Sequence, residues 1–500
     1  MRFFTKYHKW GGLVIAFFVI MFSLSGIVLN HRKVFSSVDI PRKVLPEEFR
    51  FSNWNNAAAK GSLKLSSDSV LLYGTAGIWL TDSLQSSFSE FAYGMKKGAD
   101  NQIVNRIVKA SGGSIYAVTT FDFYKLGENN QWASMTAQAG ITERIVDLEI
   151  AGDTMVILTR SHLYYSQMPF SQFTCVELNR PNDYTPETNL FRFFWLLHSG
   201  QLFGIAGQLF VDFLGLLLIT LSITGVIYFF SPKLIKRRKR RNKPTKRLIH
   251  TMKVSVRWHN KIGILFLFFF LLLSVTGMFL RPPLLIAVVR SKIKNIPGTV
   301  LHTSNPWNDK LRTIRYEPDS QQYLLYTSSG FYTIRNFLAI PHKTQVTPPV
   351  SVMGVTVLEP TSGGWLVGSF SGLFHWNRNT GMIINCHTGE LVRGVQRGRP
   401  VSTFPVSGYS SDFAVPVVFE YYKGALTFDT GRSFASMPHE LEDGRMSLWH
   451  FALEVHTGRI YNLILGVFAD LYVFLAGLLI SLIFISGYIL YRKKYKKRTP

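Results

Sequence analysis

Residues 213–230, FLGLLLITLSITGVIYFF, run into 231–258, SPKLIKRRKRRNKPTKRLIHTMKVSVRW, and then into 262–280, IGILFLFFFLLLSVTGMFL. The first and last of these carry no charge, and each approaches the roughly 20 apolar residues that a helix needs to cross a bilayer. The middle stretch holds twelve Lys or Arg and no acidic residue. Six more cations lie in 492–498, after the apolar stretch 471–491, and Arg2, Lys6 and Lys9 precede the apolar stretch 11–29. Those 21 cations account for most of the formal charge of +25, because the other 34 Lys and Arg face 30 acidic residues. Cations gathered beside apolar stretches follow the positive-inside rule of membrane proteins, and this distribution excludes a nucleic-acid binder.

The pattern predicts a four-span helical bundle in a bacterial inner (cytoplasmic) membrane, with both termini in the cytoplasm. The expected order is a cytoplasmic start and first span (1–30), an outer half (31–200) and a second span (201–230). A basic cytoplasmic loop (231–258) and a third span (259–281) follow, then a second outer half (282–460), a fourth span (461–491) and a cytoplasmic tail (492–500). No small-residue cleavage motif follows the first apolar stretch, so it reads as a retained span rather than a signal peptide. Apolar character extends back from the second and fourth spans to about Leu202 and Leu463, which tilt or an interfacial segment would accommodate.

Both outer halves are rich in Ser, Thr, Gly and aromatics, and they repeat a strand, a tight turn and a second strand. Val70–Tyr73 leads to Ile78–Leu80, Ile115–Val118 to Phe121–Tyr124, and Met155–Leu158 to Leu163–Tyr165. In the second half Tyr323–Tyr326 leads to Phe331–Tyr332, Trp365–Val367 to Leu373–Trp376, and Val417–Phe419 to Ala425–Phe428. Neighbouring copies recur at about 40 to 45 residues, the period of propeller blades. An all-β periplasmic region follows, read as one β-propeller completed by two loops, with two unrelated β-sandwiches as the alternative. Cys175 and Cys386 lie one in each half, as a disulfide between them or as two free thiols.

The spans repeat too. His8 precedes Gly26 by 18 residues, and His259 precedes Gly277 by the same 18. His198-Ser199-Gly200 and His456-Thr457-Gly458 each stand 14 residues before an aspartate, Asp212 and Asp470. These spans end in Thr224-Gly225 and Ser486-Gly487, with four extra residues assigned to the fourth span. The chain is thus a tandem duplication of span, outer half and span, and its four equivalent histidines form two pairs, one near each membrane face. Neutral imidazole is a standard axial ligand of b-type haem, helical bundles hold cofactors between facing helices, and ionisable groups at membrane depth are costly. His8 with His259 would ligate a haem on the cytoplasmic side and His198 with His456 one on the outer side. His31 is a competing outer ligand and His450 a weaker one. Anchoring at the membrane interface is the alternative role for all of them. Asp212 and Asp470 would relay protons, sit beside a haem propionate or cap helix starts.

These residues resemble the PepSY-associated transmembrane family. The elements that match are His8-Lys9-Trp10, Trp258-His259, Leu197-His198-Ser199-Gly200 and Val455-His456-Thr457-Gly458-Arg459, covering the spans and not the outer halves. The resemblance implies two haem b groups and a transmembrane reductase passing electrons to a periplasmic ferric siderophore. No dinucleotide fingerprint, Walker loop or nucleophile elbow is present, so the donor would be a membrane quinol or a separate cytoplasmic protein. Membrane lipid is the remaining expected partner. A membrane-anchored propeller that binds or senses a ligand without catalysis is the competing reading.

Overall fold

The structure is a computed structural model that describes residues 2–392, 402–434, 437–442 and 444–496. The last four residues of the expected tail lie outside the described residues. The chain divides into a helical unit (1–35, 186–302 and 448–500) and a sheet unit (36–185 and 303–447).

The helical unit contains α1 (Arg2–Asn30), α2 (Leu190–Ser199), α3 (Gly204–Arg240), α4 (Lys246–Leu265), α5 (Leu267–Met278) and α6 (Leu284–Val288); after α7 (His439–Glu442) of the sheet unit come α8 (Leu448–His456), α9 (Asn462–Leu465) and α10 (Tyr472–Lys496). Among the described residues three stretches, Phe3–Asn30, Gln201–Arg240 and Arg459–Lys493, are long and apolar enough to cross a membrane. The α4–α5 pair passes the same test as a whole but bends by 67° at its break. This is a multi-pass membrane protein. Helix α1 packs on α3 and α10, while α4 and α5 pack between those same two helices. Side chains such as Phe17, Leu216, Leu265 and Phe268 stay exposed on the outside of the bundle, as lipid contact requires.

The basic stretch expected as a loop is largely helical. Ser231–Arg240 continues α3, residues 241–245 turn, and α4 then begins. Lys and Arg are good helix formers, and cations in a last turn oppose the negative end of the helix dipole. Both residues therefore favour extending α3 beyond its apolar part.

Among the described residues the sheet unit contains six antiparallel meanders. Sheet 1 is built from Gly61–Lys64, Val70–Gly74, Gly77–Thr81 and Phe88–Glu90, and sheet 2 from Val104–Lys109, Ile115–Thr119, Phe123–Leu126 and Trp132–Ser134. Sheet 3 runs Ile145–Ala151, Thr154–Thr159, Leu163–Gln167 and Thr174–Val176. From the second loop come sheet 4 (Leu311–Glu317, Gln322–Thr327, Gly330–Ile334, His342–Lys343), sheet 5 (Val355–Thr361, Gly364–Ser369, Gly372–Asn377, Met382–Asn385) and sheet 6 (Val406–Ser410, Val417–Glu420, Gly424–Thr427). Every hairpin read from the sequence is the second and third strand of one meander. The second strands are almost wholly buried, so both of their faces are apolar and they stand out in the sequence.

The first strands of successive sheets touch in order from sheet 1 to sheet 6, and the sixth touches the first again. Tyr409 N–H donates to the Lys60 carbonyl at 3.1 Å and Ser62 Oγ meets Ser410 Oγ at 2.6 Å, joining the last sheet to the first. Around the middle of this cycle lie Arg106 paired with Glu359, and Arg315 between Asp147 at 2.6 Å and Glu149 at 3.8 Å. Each of these pairs joins the first loop to the second. They border a polar cavity of about 50 Å³ lined also by Lys60, Tyr73 and Asn105. Both cysteines are free thiols, and burial pushes Cys386 up to about 11.

Candidate functional site

All four duplicated histidines lie in the helical unit, and they meet in two pairs. The ring centroids of His8 and His259 are 6.3 Å apart with planes at 78°, and those of His198 and His456 are 6.2 Å apart at 66°. The first pair stands at the basic end of the bundle, beside Lys9 and Lys261 in sequence. The second stands at the C-termini of the short helices α2 and α8.

Local sequence explains those short helices. Asn189 caps α2, its side chain accepting from the Phe191 N–H at 2.8 Å, and Gly200 ends α2 in the left-handed region at φ 79°. Gly458 follows His456 with the same φ of 79°. A Cβ at Gly200 would lie 2.1 Å from the Gly207 carbonyl oxygen, so the close return of the chain into α3 requires glycine there.

Each histidine directs Nδ1 at the Ser/Thr-Gly end of a helix from the other repeat. His8 Nδ1 lies 3.0 Å from Ser486 Oγ and 3.2 Å from the Ile483 carbonyl on α10. On α3, His259 Nδ1 lies 3.0 Å from the Leu221 carbonyl and 3.4 Å from Thr224 Oγ1. His198 Nδ1 lies 3.0 Å from the Leu273 carbonyl and 3.2 Å from Thr276 Oγ1 on α5. His456 Nδ1 lies 2.8 Å from Ser25 Oγ on α1. Among the described residues no protein group hydrogen-bonds any of the four Nε2 atoms. Each pair therefore offers two imidazole nitrogens whose lone pairs are not used by the protein. Among the described residues there is no group of three or more His, Cys, Asp or Glu able to cage a metal ion without further ligands.

The other expected residues lie elsewhere. His31 Nε2 is 2.6 Å from Asp212 Oδ2, and Asn30 donates to Asp212 Oδ1 at 2.9 Å and to the Ser199 carbonyl at 3.2 Å. His450 stacks edge-on against Trp449. Asp470 pairs with Arg281 at 2.8 Å. The two aspartates are not equivalent once the backbone is counted from the Ser/Thr-Gly ends. Gly204 and Gly466 both stand 21 residues before them, with matching backbone angles (φ 66°, ψ −151° and φ 51°, ψ −132°). The four extra residues of the second repeat therefore lie between Gly458 and Gly466, where α9 forms, and not within the span.

Sequence reading named the Ser/Thr-Gly doublets as landmarks of the repeat and missed their contact with the histidines. The 18-residue spacing was the available signal, but the doublet that receives a histidine always belongs to the other repeat.

The chain has structural neighbours of low similarity. The extracellular domain of a hybrid two-component system of B. thetaiotaomicron shares 11% identity over 75% of this chain and 39% of its own, at a TM-score of 0.34. A structural genomics protein of unknown function from Bacteroides thetaiotaomicron shares 9% over 74% of this chain and 68% of its own, at 0.35. PorZ of Porphyromonas gingivalis, a surface component of the type-IX secretion system, shares 8% over 78% and 39%, at 0.28. The chain thus spans about two fifths of the first and last of these. No curated protein matches. The family described as PepSY-associated TM region matches twice, over residues 1–231 and again over 232–494, one match for each repeat. With nearly its whole length matched in two successive copies, the chain belongs to the PepSY-associated transmembrane family.

Proposed function

We propose that this protein is a transmembrane electron carrier with two bis-histidine haem b sites, reducing a ferric chelate outside an inner membrane. The observation that carries the reading is the pairing of His8 with His259 and of His198 with His456 across the two repeats. In each pair two imidazoles, with ring centroids 6.3 and 6.2 Å apart, keep Nε2 free of protein partners, a donor set that fits haem iron.

Bound haem would supply one-electron chemistry at each pair. The chain's own contribution is to hold each imidazole with Nε2 open, to surround the pairs with apolar helices that exclude water, and to set one pair near each end of the bundle. In this reading the bundle has four spans, the bent α4–α5 pair being the third, with the basic turn and both termini in the cytoplasm. The sheet unit is a six-bladed propeller completed by the two loops, which the cyclic order of first-strand contacts supports. Ferric iron held by hard oxygen ligands is released once reduced, so a ferric siderophore is the acceptor in view, and a quinol or separate cytoplasmic protein the donor.

Reduced-minus-oxidised spectra of the detergent-purified protein test the cofactor. In proteoliposomes, ferric siderophore added on the side opposite the basic turn should reoxidise the dithionite-reduced protein while ferrous iron appears. Protein without haem would leave the propeller as a ligand-binding module. Haem that ferric chelates leave reduced, while another oxidant empties it, would retain electron transfer and remove the iron substrate.

A further inference from the structure

The four Ser/Thr-Gly doublets do more than end the spans. Each hydroxyl has its proton committed to its own helix: Ser25 to the Met21 carbonyl at 2.7 Å, Thr224 to Thr220 at 2.7 Å, Thr276 to Leu272 at 2.7 Å and Ser486 to Ile483 at 2.8 Å. A hydroxyl that donates there has only lone pairs left for the imidazole. At His8, His259 and His198 a backbone carbonyl, an acceptor by nature, also faces Nδ1. Every partner of Nδ1 is therefore an acceptor, and Nδ1 must carry the proton. The neutral ring then has its lone pair on Nε2, the form required of an axial ligand.

Three of the glycines that follow these hydroxyls make room for the ring. A Cβ at Gly277 would lie 2.9 Å from His198 Cε1, and one at Gly487 would lie 2.9 Å from His8 Cε1. At Gly225 the distance to His259 Cε1 is 3.1 Å, and at Gly26 the distance to His456 Cε1 is 3.6 Å, an ordinary contact. Two of the four glycines thus leave no space for a methyl group, one is tight, and one is free to change.

We propose that Ser25, Thr224-Gly225, Thr276-Gly277 and Ser486-Gly487 are positioning residues, fixing the tautomer and ring placement of one histidine ligand each, supplied by the other repeat. The inference rests on the haem reading for its purpose but not for its geometry. Because every doublet receives its histidine from the opposite repeat, neither half can orient its own ligands, and each site forms only where both repeats meet.

The two members of one pair provide an internal control. In the full-length protein, Gly277→Ala should weaken haem binding at the His198–His456 site about tenfold or more, the usual cost of losing an outer-shell partner, whereas Gly26→Ala at the same site should leave it unchanged. At the basic-end site Gly487→Ala should act like Gly277→Ala, with Gly225→Ala between. Thr276→Val keeps the shape and removes the hydroxyl acceptor, so it should give a smaller loss in the same direction even if Gly277→Ala does not fold. Equal haem affinity in Gly277→Ala, Gly487→Ala and the native protein would overturn the proposal. Nitrogen NMR of histidine-labelled protein without added haem gives a second readout. Four rings protonated at Nδ1 in protein that never takes up haem would leave the positioning role standing and end the haem reading. Rings protonated at Nε2 would end the positioning role whatever the haem content.

Discussion

The helical and sheet units bury polar side chains by opposite means. At the centre of the sheet cycle Arg315 meets Asp147 and Glu149, and Arg106 meets Glu359, so charges from the two loops cancel in place. In the helical unit each histidine satisfies one nitrogen against the opposite repeat and leaves the other open. Both arrangements cross the duplication and hold its halves together. Only the second leaves ring nitrogens whose coordinating capacity the protein does not use. The difference puts unused coordinating atoms in the helical unit and mutually paired charges at the centre of the sheets.

Breaking the open side of that comparison should have the largest effect. His198→Ala or His456→Ala should remove one of two haems, halving haem per protein, while His8→Ala or His259→Ala should remove the other. Haem quantified by its alkaline pyridine spectrum checks this against the native ratio. If all four variants kept full haem, the ligand assignment would be lost. Unfolding of the sheet unit should be the same in all of them.

The cancelled side breaks differently. Arg315→Met would leave Asp147 and Glu149 buried without their cation, and losing one member of a buried ion pair costs about 3–5 kcal/mol. Denaturant titration followed by tryptophan fluorescence should show the lower midpoint, since Trp54, Trp132, Trp307, Trp365 and Trp376 are all buried in this unit. Haem content should not follow it down. An unchanged midpoint would mean that the central pairs do not tie the sheets together.

What the sequence showed and hid divides along the same line. The second and third strands of each meander were legible because both faces are apolar, as in Val70–Gly74 and Met155–Leu158. The fourth strands were not, because they are three or four residues long at most and largely exposed, as in Thr174–Val176 and His342–Lys343. First strands carry their polar residues inward, and in five of the six sheets a register shift near the strand start breaks the alternation, as between Ile145 and Asp147. The histidine pairs were legible because duplication printed the same spacing twice. Their Ser/Thr-Gly partners were present in the same motifs, yet which doublet faces which histidine depends on packing between repeats. The Phe268-Phe269-Phe270 run looks uniform in sequence but divides in the structure: Phe268 is exposed, while Phe270 is buried and stacks on Phe484.

A milder change sharpens the comparison. Burial pushes Glu149 up to about 6, against the pull of Arg315 and Arg106 and with Asp147 adding to the rise. A carboxyl raised in the folded state binds its proton more readily there than in the unfolded chain. Its contribution to stability is therefore present at low pH and is lost as pH rises from about 4.5 through about 6. Glu149→Gln should be neutral near pH 4 and stabilising by about 2 kcal/mol at pH 8, from a shift of that size at 1.36 kcal/mol per unit. Melting temperatures at the two pH values check it, and a Gln variant less stable at pH 8 would show the ionised carboxylate to be needed by its arginines.

The smallest effect belongs to a pair that makes the same crossing at the surface. Lys343 Nζ lies 2.9 Å from Asp183 Oδ2, joining the fourth strand of sheet 4 to the end of the first loop, and Tyr332 donates to the same carboxylate at 3.4 Å. Both charged side chains are more than a third exposed, at 39% and 37%. Slight burial alone would raise the Asp183 carboxyl, but the bonds from Lys343 outweigh it and hold the group below its usual range. Its contribution is therefore present above the ordinary carboxylate pKa and fades as pH falls through the lowered one. Water and salt screen such a pair, so Asp183→Asn should cost only about 0.2–1 kcal/mol at neutral pH, and the difference should shrink in 1 M salt, where the screening length falls to about 3 Å. The Arg315 effect, shielded at the centre of the cycle, should survive the same salt. A loss at Asp183 that matched the loss at Arg315 and ignored salt would mean that the loop junction, and not the buried centre, holds the two halves of the sheet unit together.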